Sequence, residues 1–415
     1  MKLVLLQNGK YAVCCRSIIL YCITDTYGET DLRKDMMDAI EIKGKVNTAI
    51  CYAKMVEDDA IEQIRRMCDY SMTEGSKIRI MPDVHAGKGC TIGTTMTISD
   101  KVVPNVVGVD LGCGMLTVCL GKININYKKL DEAAHFIPSG HDVWGENGAV
   151  PDLIPFEERG EVFNITELAC YKELKNVDRL NRSLGTLGGG NHFIEIDESG
   201  DGDKYLIIHT GSRNIGKQVA EIYQKKAIEL ARNRGDDTPD DLCYLYGDIL
   251  KDYLHDVNIC QNFALRNRVK IAEIIFNITG MKGGDSFHTI HNYIDTKEMI
   301  LRKGAIAAHR GEKVLIPINM RDGSVLAIGK GNPEWNYSAP HGAGRVMSRK
   351  KAKENLSLSD YKKAMEGVYT TSVNAETLDE APMAYKSMED IIDVISESVD
   401  IVDILKPIYN FKSSE

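Results

Sequence analysis

The chain has 415 residues, 43% hydrophobic and 27% charged, the balance of a soluble globular protein with room for one large domain or two ordinary ones. A formal net charge of −9 argues against holding nucleic acid by bulk electrostatics, although a local basic groove can coexist with it. Eleven scattered cysteines with no CxxC read as reduced thiols of a cytoplasmic protein, and no apolar run approaches the roughly 18 to 20 residues of a membrane span.

Residues 1 to 36 read as an N-terminal extension. Gln7, Asn8, Lys10 and Arg16 interrupt its apolar pieces too often for a signal-peptide core, so no export is expected. From residue 37 a regular alternation of apolar and polar residues begins, and strand-like runs separated by glycine turns follow: "KIRIMPDV", "NVVGVDLG", "MLTVCLGKI", "HFIEID" and "KYLIIHT". Between about 217 and 280 the spacing turns helical, in "QVAEIYQKKAIELARN" and then Leu250, Tyr253, Leu254, Val257 and Cys260. Strand-like runs return at "MILRKGAIAAH", "KVLIPINM" and "SVLAIGKG", and "MEDIIDVISESVDIVDIL" reads as a closing amphipathic helix. Sheet on both sides of a helical insertion favours a single α/β (α+β) catalytic domain over 37–415.

Six of ten histidines lie beside glycine, asparagine or a strand end: His85, His192, His209, His288, His291 and His341. Loops at strand ends are where reactive groups tend to be displayed. In "GVDLGCGM", Asp110 precedes Cys113 by three residues and glycines flank the thiol. Histidine, carboxylate and thiolate together suit zinc, manganese or iron, and a thiolate with little bulk around it can bridge two ions. A nucleophilic cysteine paired with a histidine and a merely buried thiol are the alternatives.

"GSRNIGKQ" nearly matches a P-loop, but Gln218 stands where a hydroxyl would hold Mg²⁺; a glycine turn opening a helix can still bind phosphate, with Arg213. In "GTLGGGNHFIE", three glycines before Asn191 and His192 let backbone approach a ligand, with Phe193 and Glu195 on one strand face. In "HGAGR", His341 stands in an open glycine turn near Arg345, which suits phosphoryl chemistry.

"MPDVHAGKG", "GVDLGCGM", "GTLGGGNHFIE", "HTGSRNIG", "HNY" and "HGAGRVMSR" occur in the order and approximate spacing of the RtcB family of GTP-dependent RNA ligases, and the chain resembles that family from about residue 42 to its end. The resemblance implies an RtcB-like fold with mixed sheets around a dinuclear metal cleft. It implies an enzyme, acting in tRNA splicing or RNA repair, that joins an RNA 2′,3′-cyclic phosphate or 3′-phosphate to a 5′-hydroxyl, using GTP and two Mn²⁺ ions. By the same resemblance Cys113 bridges the ions, with His192 and His209 at one and Asp110 and His291 at the other.

His341 matches the guanylylated histidine, from which GMP passes to the RNA 3′-phosphate. The GTP pocket would comprise Asn191, Phe193, Glu195, Asn319, Ser324, His341, Gly342, Ala343, Gly344, Tyr385 and Lys412. Arg213 and Arg345 are candidates for RNA phosphates, and an archease-type activator is a candidate partner. One departure stands out: "PINM" replaces the family's "PGSM", so Asn319 takes the place of a serine. Two other readings are a manganese-dependent end-processing phosphodiesterase that does not ligate and a non-catalytic RNA-binding module.

Overall fold

The structure is a computed structural model that describes residues 2–6, 10–14, 39–145 and 164–413. The chain divides into two compact units, Met1–Asp38 and Ala39–Glu415. In the first, strands β1 (Lys2–Leu6) and β2 (Lys10–Cys14) pair antiparallel. The rest of the sequence read as an extension lies outside the described residues.

The second unit runs β3 (Ile40–Lys43), β4 (Thr48–Cys51), α1 (Asp58–Cys68), β5 (Ile78–His85), β6 (Ile92–Thr97), α2 (Pro104–Val107), β7 (Gly114–Gly121), α3 (Tyr127–Phe136) and α4 (Val177–Asn181). It continues through β8 (Phe193–Glu198), β9 (Lys204–Thr210), α5 (Arg213–Arg234), α6 (Gly247–Thr279), β10 (Ser286–Ile290), β11 (Asn292–Asp295), β12 (Ile300–Lys303) and β13 (Ala305–Ala307). Then come β14 (Lys313–Asn319), β15 (Gly323–Gly329), β16 (Ser338–Pro340), α7 (Arg349–Asn355), α8 (Leu358–Ala364), α9 (Met388–Ile395) and β17 (Val399–Lys412).

Two large sheets result, as expected of a mixed α/β fold. One has seven strands in the order β10-β7-β9-β8-β17-β15-β14, every neighbour antiparallel; the other has six in the order β11-β12-β6-β5-β4-β3, with β4 and β5 parallel. Helix α1 makes the β4-to-β5 crossover and turns Ala60, Ile64, Met67 and Cys68 inward, at the 3.6-residue period of a helix packed on a sheet.

Two expectations change. "NVVGVDLG" is not a strand: Pro104 opens the short helix α2, where its fixed φ and missing N–H suit a first helical turn, and the chain then bends into the Asp110 turn. The closing helix stops at Ile395, and "VDIVDILKPIYNFK" instead threads between β15 and β8 as a central strand, rich in the β-branched residues that suit a pleated surface.

The segment read as a helical insertion is built into the interior. One half of α6 puts Tyr253, Val257, Cys260 and Phe263 into one apolar core, and the other half puts Ile271, Ile274 and Ile275 into a second. At about 1.5–3 kcal/mol for each fully buried large apolar side chain, this helix contributes to both cores at once.

Candidate active site and metal centre

Strand register gathers the motifs at one end of the seven-stranded sheet. Gly114, the first residue of β7, sits opposite Thr210 at the end of β9 and Ile290 at the end of β10. On the other side His209 pairs with Phe193, and Phe193 with Lys412. Residues some three hundred positions apart in sequence thereby line one rim: Cys113 just before β7, His192 just before β8, His209 on β9, His291 just after β10 and Lys412 at the end of β17.

Cys113 Sγ lies 3.4 Å from His192 Nε2 and 3.3 Å from His209 Nε2. His209 Nε2 is 3.3 Å from His291 Nε2, and His192 Nε2 is 3.1 Å from Asp110 Oδ2. Two triads share the sulfur: Cys113 with His209 and His291, and Asp110 with Cys113 and His192. This corrects the expected partition, because His192 faces Asp110 while His291 faces His209.

His209 Nδ1 lies 3.0 Å from the Asn191 carbonyl, which can only accept, so the proton sits on Nδ1 and the Nε2 lone pair points at His291 Nε2 and the sulfur. Burial holds His209 and His291 well below the usual imidazole range, so both are neutral, the form that ligates. A borderline-soft Cys/His/Asp set converging in this way fits transition-metal cations.

Burial works to raise the Asp110 carboxyl, but hydrogen bonding and charge from His192 bring it down to about 2. Burial and the Asp110 carboxylate push the Cys113 thiol well up, a balance that a cation at the sulfur reverses. Beneath the sulfur the fully buried Arg268 donates to the carbonyls of Gly112 and Thr210 and fixes both ends of the rim.

Two glycines are dictated by this crowding. Gly112 has φ +73°, a left-handed conformation that costs a residue with a Cβ, and its α-carbon faces α6 at Gln261 and Ala264. At Gly211 a Cβ would collide with the Asp110 carboxylate.

A cavity of about 350 Å³ opens beside the Cys113–His209–His291 triad. Of the residues expected to hold a nucleotide, Asn191, Phe193, Glu195, Asn319, His341, Gly342, Ala343, Gly344, Tyr385 and Lys412 line it. Ser324 does not: it is fully buried behind the wall. Asn319 lines the cavity, but its side chain is committed to the β14–β15 turn, donating to Asp322 and accepting from the backbone N–H groups of Arg321 and Asp322.

His341 follows β16, and its ring centroid is 5.0 Å from that of His291. Its Nδ1 is 2.6 Å from Oδ2 of the wholly buried Asp83, which also accepts the His341 backbone N–H at 3.2 Å. A carboxylate only accepts, so Nδ1 carries a proton and Nε2 is the nitrogen left for a ligand. His85 lines the same cavity, its Nδ1 3.0 Å from the Asp83 carbonyl, whereas His288 is outside it and faces Arg268.

Sequence reasoning missed Asp83 and Glu380. Asp83 sits in the quoted "MPDVH", yet nothing in one sequence says which strand acid meets a histidine 258 positions away. Glu380 lies in a stretch with no motif character. Its carboxylate takes Lys412 Nζ at 2.6 Å, Tyr385 Oη at 2.8 Å and Arg349 Nη1 at 2.5 Å. Burial would raise this carboxyl, but Lys412 and Arg349 hold it at about 2. The same network includes Arg345, in the wall of the first cavity, whose N–H groups are taken by Glu380, Tyr385 and the carbonyls of Met347 and Asp379.

A second cavity, about 520 Å³, meets the first at Asp110 and continues past His192 to Arg179, Arg213 and Lys217. Arg213 also braces its wall, donating to the Gly140 carbonyl at 2.7 Å and to Thr186 Oγ1 at 3.0 Å. The P-loop-like stretch does not cradle phosphate through Gln218, whose amide pairs with both backbone groups of Lys175. Among the described residues no helix is long and apolar enough to cross a membrane.

Comparison with known proteins supplies the family. A family model described as "tRNA-splicing ligase RtcB" matches residues 63–139 and 121–413. The RNA-splicing ligase RtcB of Escherichia coli K12 is 32% identical over 372 residues, covering 80% of this chain and 88% of that protein. The tRNA-splicing ligase RtcB of Archaeoglobus fulgidus is 30% identical over 430 residues, covering 82% and 88%. That of Thermococcus kodakarensis is 25% identical over 433 residues, covering 83% and 89%. The match runs through every part of the rim and both cavity walls, and the chain belongs to the RtcB family, whose members so described are RNA-splicing ligases.

Proposed function

We propose that this protein is a GTP-dependent RNA ligase that joins RNA 2′,3′-cyclic phosphate or 3′-phosphate ends to 5′-hydroxyl ends, in tRNA splicing or RNA repair. The observation that carries the proposal is His341, its Nδ1 held by Asp83 so that Nε2 is left for a ligand, next to the Cys113–His209–His291 triad and in the wall of a nucleotide-sized cavity.

In this reading Nε2 of His341 attacks the α-phosphorus of GTP. The N–P bond forms as the bond to the β-phosphate oxygen breaks, and pyrophosphate leaves. Asp83 stabilises the positive charge that develops on the ring, as a buried carboxylate does for an attacking or protonated imidazole. Lys412 and Arg349, anchored by Glu380 in the lining of the same cavity, offset phosphate charge. GMP then moves to an RNA 3′-phosphate, and the 5′-hydroxyl displaces it.

Two Mn²⁺ ions are the proposed cofactors, held by the triads Cys113/His209/His291 and Asp110/Cys113/His192, where they would supply Lewis-acid stabilisation of phosphoryl oxygens. The second cavity, with Arg179, Arg213 and Lys217, is the proposed seat of the RNA ends, and an archease-type activator is a proposed partner.

The test is an RNA with a 2′,3′-cyclic phosphate and a 5′-hydroxyl, incubated with protein, GTP and Mn²⁺. Circular product is expected from wild type and not from His341→Ala. Linear RNA whose cyclic phosphate has only been opened, in both, would favour a phosphodiesterase instead.

A further inference from the structure

Behind the wall of the nucleotide-side cavity, β8 puts two acids on one face: Glu195, 3% exposed, and Asp197, wholly buried two residues on. As same-face neighbours on one strand, the two carboxyls act directly on one another. The donors favour only one of the pair. Asn410 Nδ2 donates to Glu195 Oε2 at 2.5 Å, and the Lys412 ammonium acts on Glu195 from the same strand, β17.

Among the described residues neither Asp197 oxygen makes a geometrically formed hydrogen bond, and its polar neighbour on β15 is the Ser324 hydroxyl, a neutral group that can accept as well as donate. Two buried carboxyls in contact do not both ionise, because like charges at that separation in a dry interior cost more than retaining one proton. The charge stays where an amide N–H and an ammonium act, on Glu195, and the proton goes to the acid that has only a neighbouring hydroxyl.

We propose that Asp197 is a neutral carboxylic acid that donates its O–H to Glu195, a positioning residue that keeps Glu195 ionised and aimed at adjacent N–H donors on the base edge of a bound nucleotide. The proposal rests on the reading of this cavity as the nucleotide pocket. Burial raises both groups, and the Glu195 charge raises Asp197 further, in keeping with that division of the proton.

The ligand chemistry follows. An ionised carboxylate is acceptor-only, so it suits guanine, which presents N1–H and a 2-amino group side by side, and opposes adenine, whose N1 is itself an acceptor. Asp197 is thus a source of base specificity that never touches the ligand.

Three variants and two readouts test this. In Asp197→Leu, Glu195 loses its donor, and the KM for GTP in forming the protein–GMP adduct should rise about tenfold, the worth of one charge-assisted hydrogen bond, while the saturated rate stays within about threefold. Asp197→Asn, which restores an N–H donor, should recover most of that affinity. ITP, lacking the 2-amino group, should lose less in Asp197→Leu than GTP does.

Independently of any nucleotide, the infrared difference spectrum of wild type minus Asp197→Asn at neutral pH should contain a carboxylic-acid C=O band that shifts in D₂O. That band should survive Glu195→Gln. If the band is missing in wild type, or if Asp197→Leu leaves the KM for GTP unchanged, the proposal is overturned. Absence of a wild-type adduct defeats instead the nucleotide reading, and the infrared band still decides where the proton is.

Discussion

Asp83 and His341 are 258 residues apart in sequence, yet Oδ2 of the first lies 2.6 Å from Nδ1 of the second and also receives its backbone N–H. One carboxylate oxygen thereby fixes both the tautomer and the orientation of the ring.

Asp83→Asn should therefore remove function without emptying the pocket. An asparagine amide can present its N–H₂ to Nδ1 and favour the wrong tautomer, and guanylylation should fall about 10²- to 10⁴-fold, the scale seen when an imidazole loses its orienting carboxylate. GTP affinity, measured by equilibrium binding, should change little. Equal losses in rate and affinity would show that Asp83 shapes the pocket as a whole.

The corrected ligand partition makes a metal-counting prediction. His192→Ala should cost the Asp110/Cys113/His192 triad its ion and leave the other, and His291→Ala the reverse. Cys113→Ser, which weakens the donor shared by both triads, should lower both. Metal content after dialysis against Mn²⁺, read by elemental analysis, checks this. The double variant Asp110→Ala/His192→Ala should still hold one ion, whereas loss of both ions in it would return to the partition expected from sequence.

Glu380 holds Lys412, Arg349 and Arg345 in place from a buried position, 2% exposed. Removing one partner of a buried ionic cluster leaves uncompensated charge, so Glu380→Ala should destabilise the protein by about 3–5 kcal/mol. The sign with pH follows from the depressed carboxyl. With a folded value of about 2 against an ordinary value near 4.5, the stabilisation is fully present above the ordinary value and is lost as pH falls toward 2. Denaturant melts of wild type and Glu380→Gln from pH 7 downward should converge over that window.

Gly211→Ala would drive a methyl group into the Asp110 carboxylate. Overpacking of this kind costs about 1–3 kcal/mol, and here the displaced group is a candidate ligand, so Mn²⁺ affinity should fall more than thermal stability does. Calorimetric Mn²⁺ titration alongside a thermal melt separates the two effects.

Much of the site was legible because its parts are local. Cys113, His192, His209, His291 and His341 each stand beside a glycine turn or strand end, and short motifs carry that information in single stretches. What pairs with what was not legible, since the partition of ligands and the reach of Asp83 and Glu380 depend on strand register across the sheet. The fold shows the same divide. Runs such as "KYLIIHT" declare themselves by composition, but "VDIVDIL" reads as a continuation of the helical spacing just before it, and its place as a central strand is set by pairing with β15 and β8, far off in sequence. Arg345 differs for another reason: a guanidinium next to a histidine in a glycine turn looks like a phosphate clamp, and only the folded chain shows its N–H groups engaged by the Glu380 carboxylate, Tyr385 and the carbonyls of Met347 and Asp379.

The most direct test is mass spectrometry of the protein after incubation with GTP and Mn²⁺ and no RNA. A GMP adduct in acid-labile phosphoramidate linkage, localised to His341 and missing in His341→Ala, is the predicted result. An unmodified His341 under those conditions, or an adduct on Lys412 or another side chain, would contradict the account.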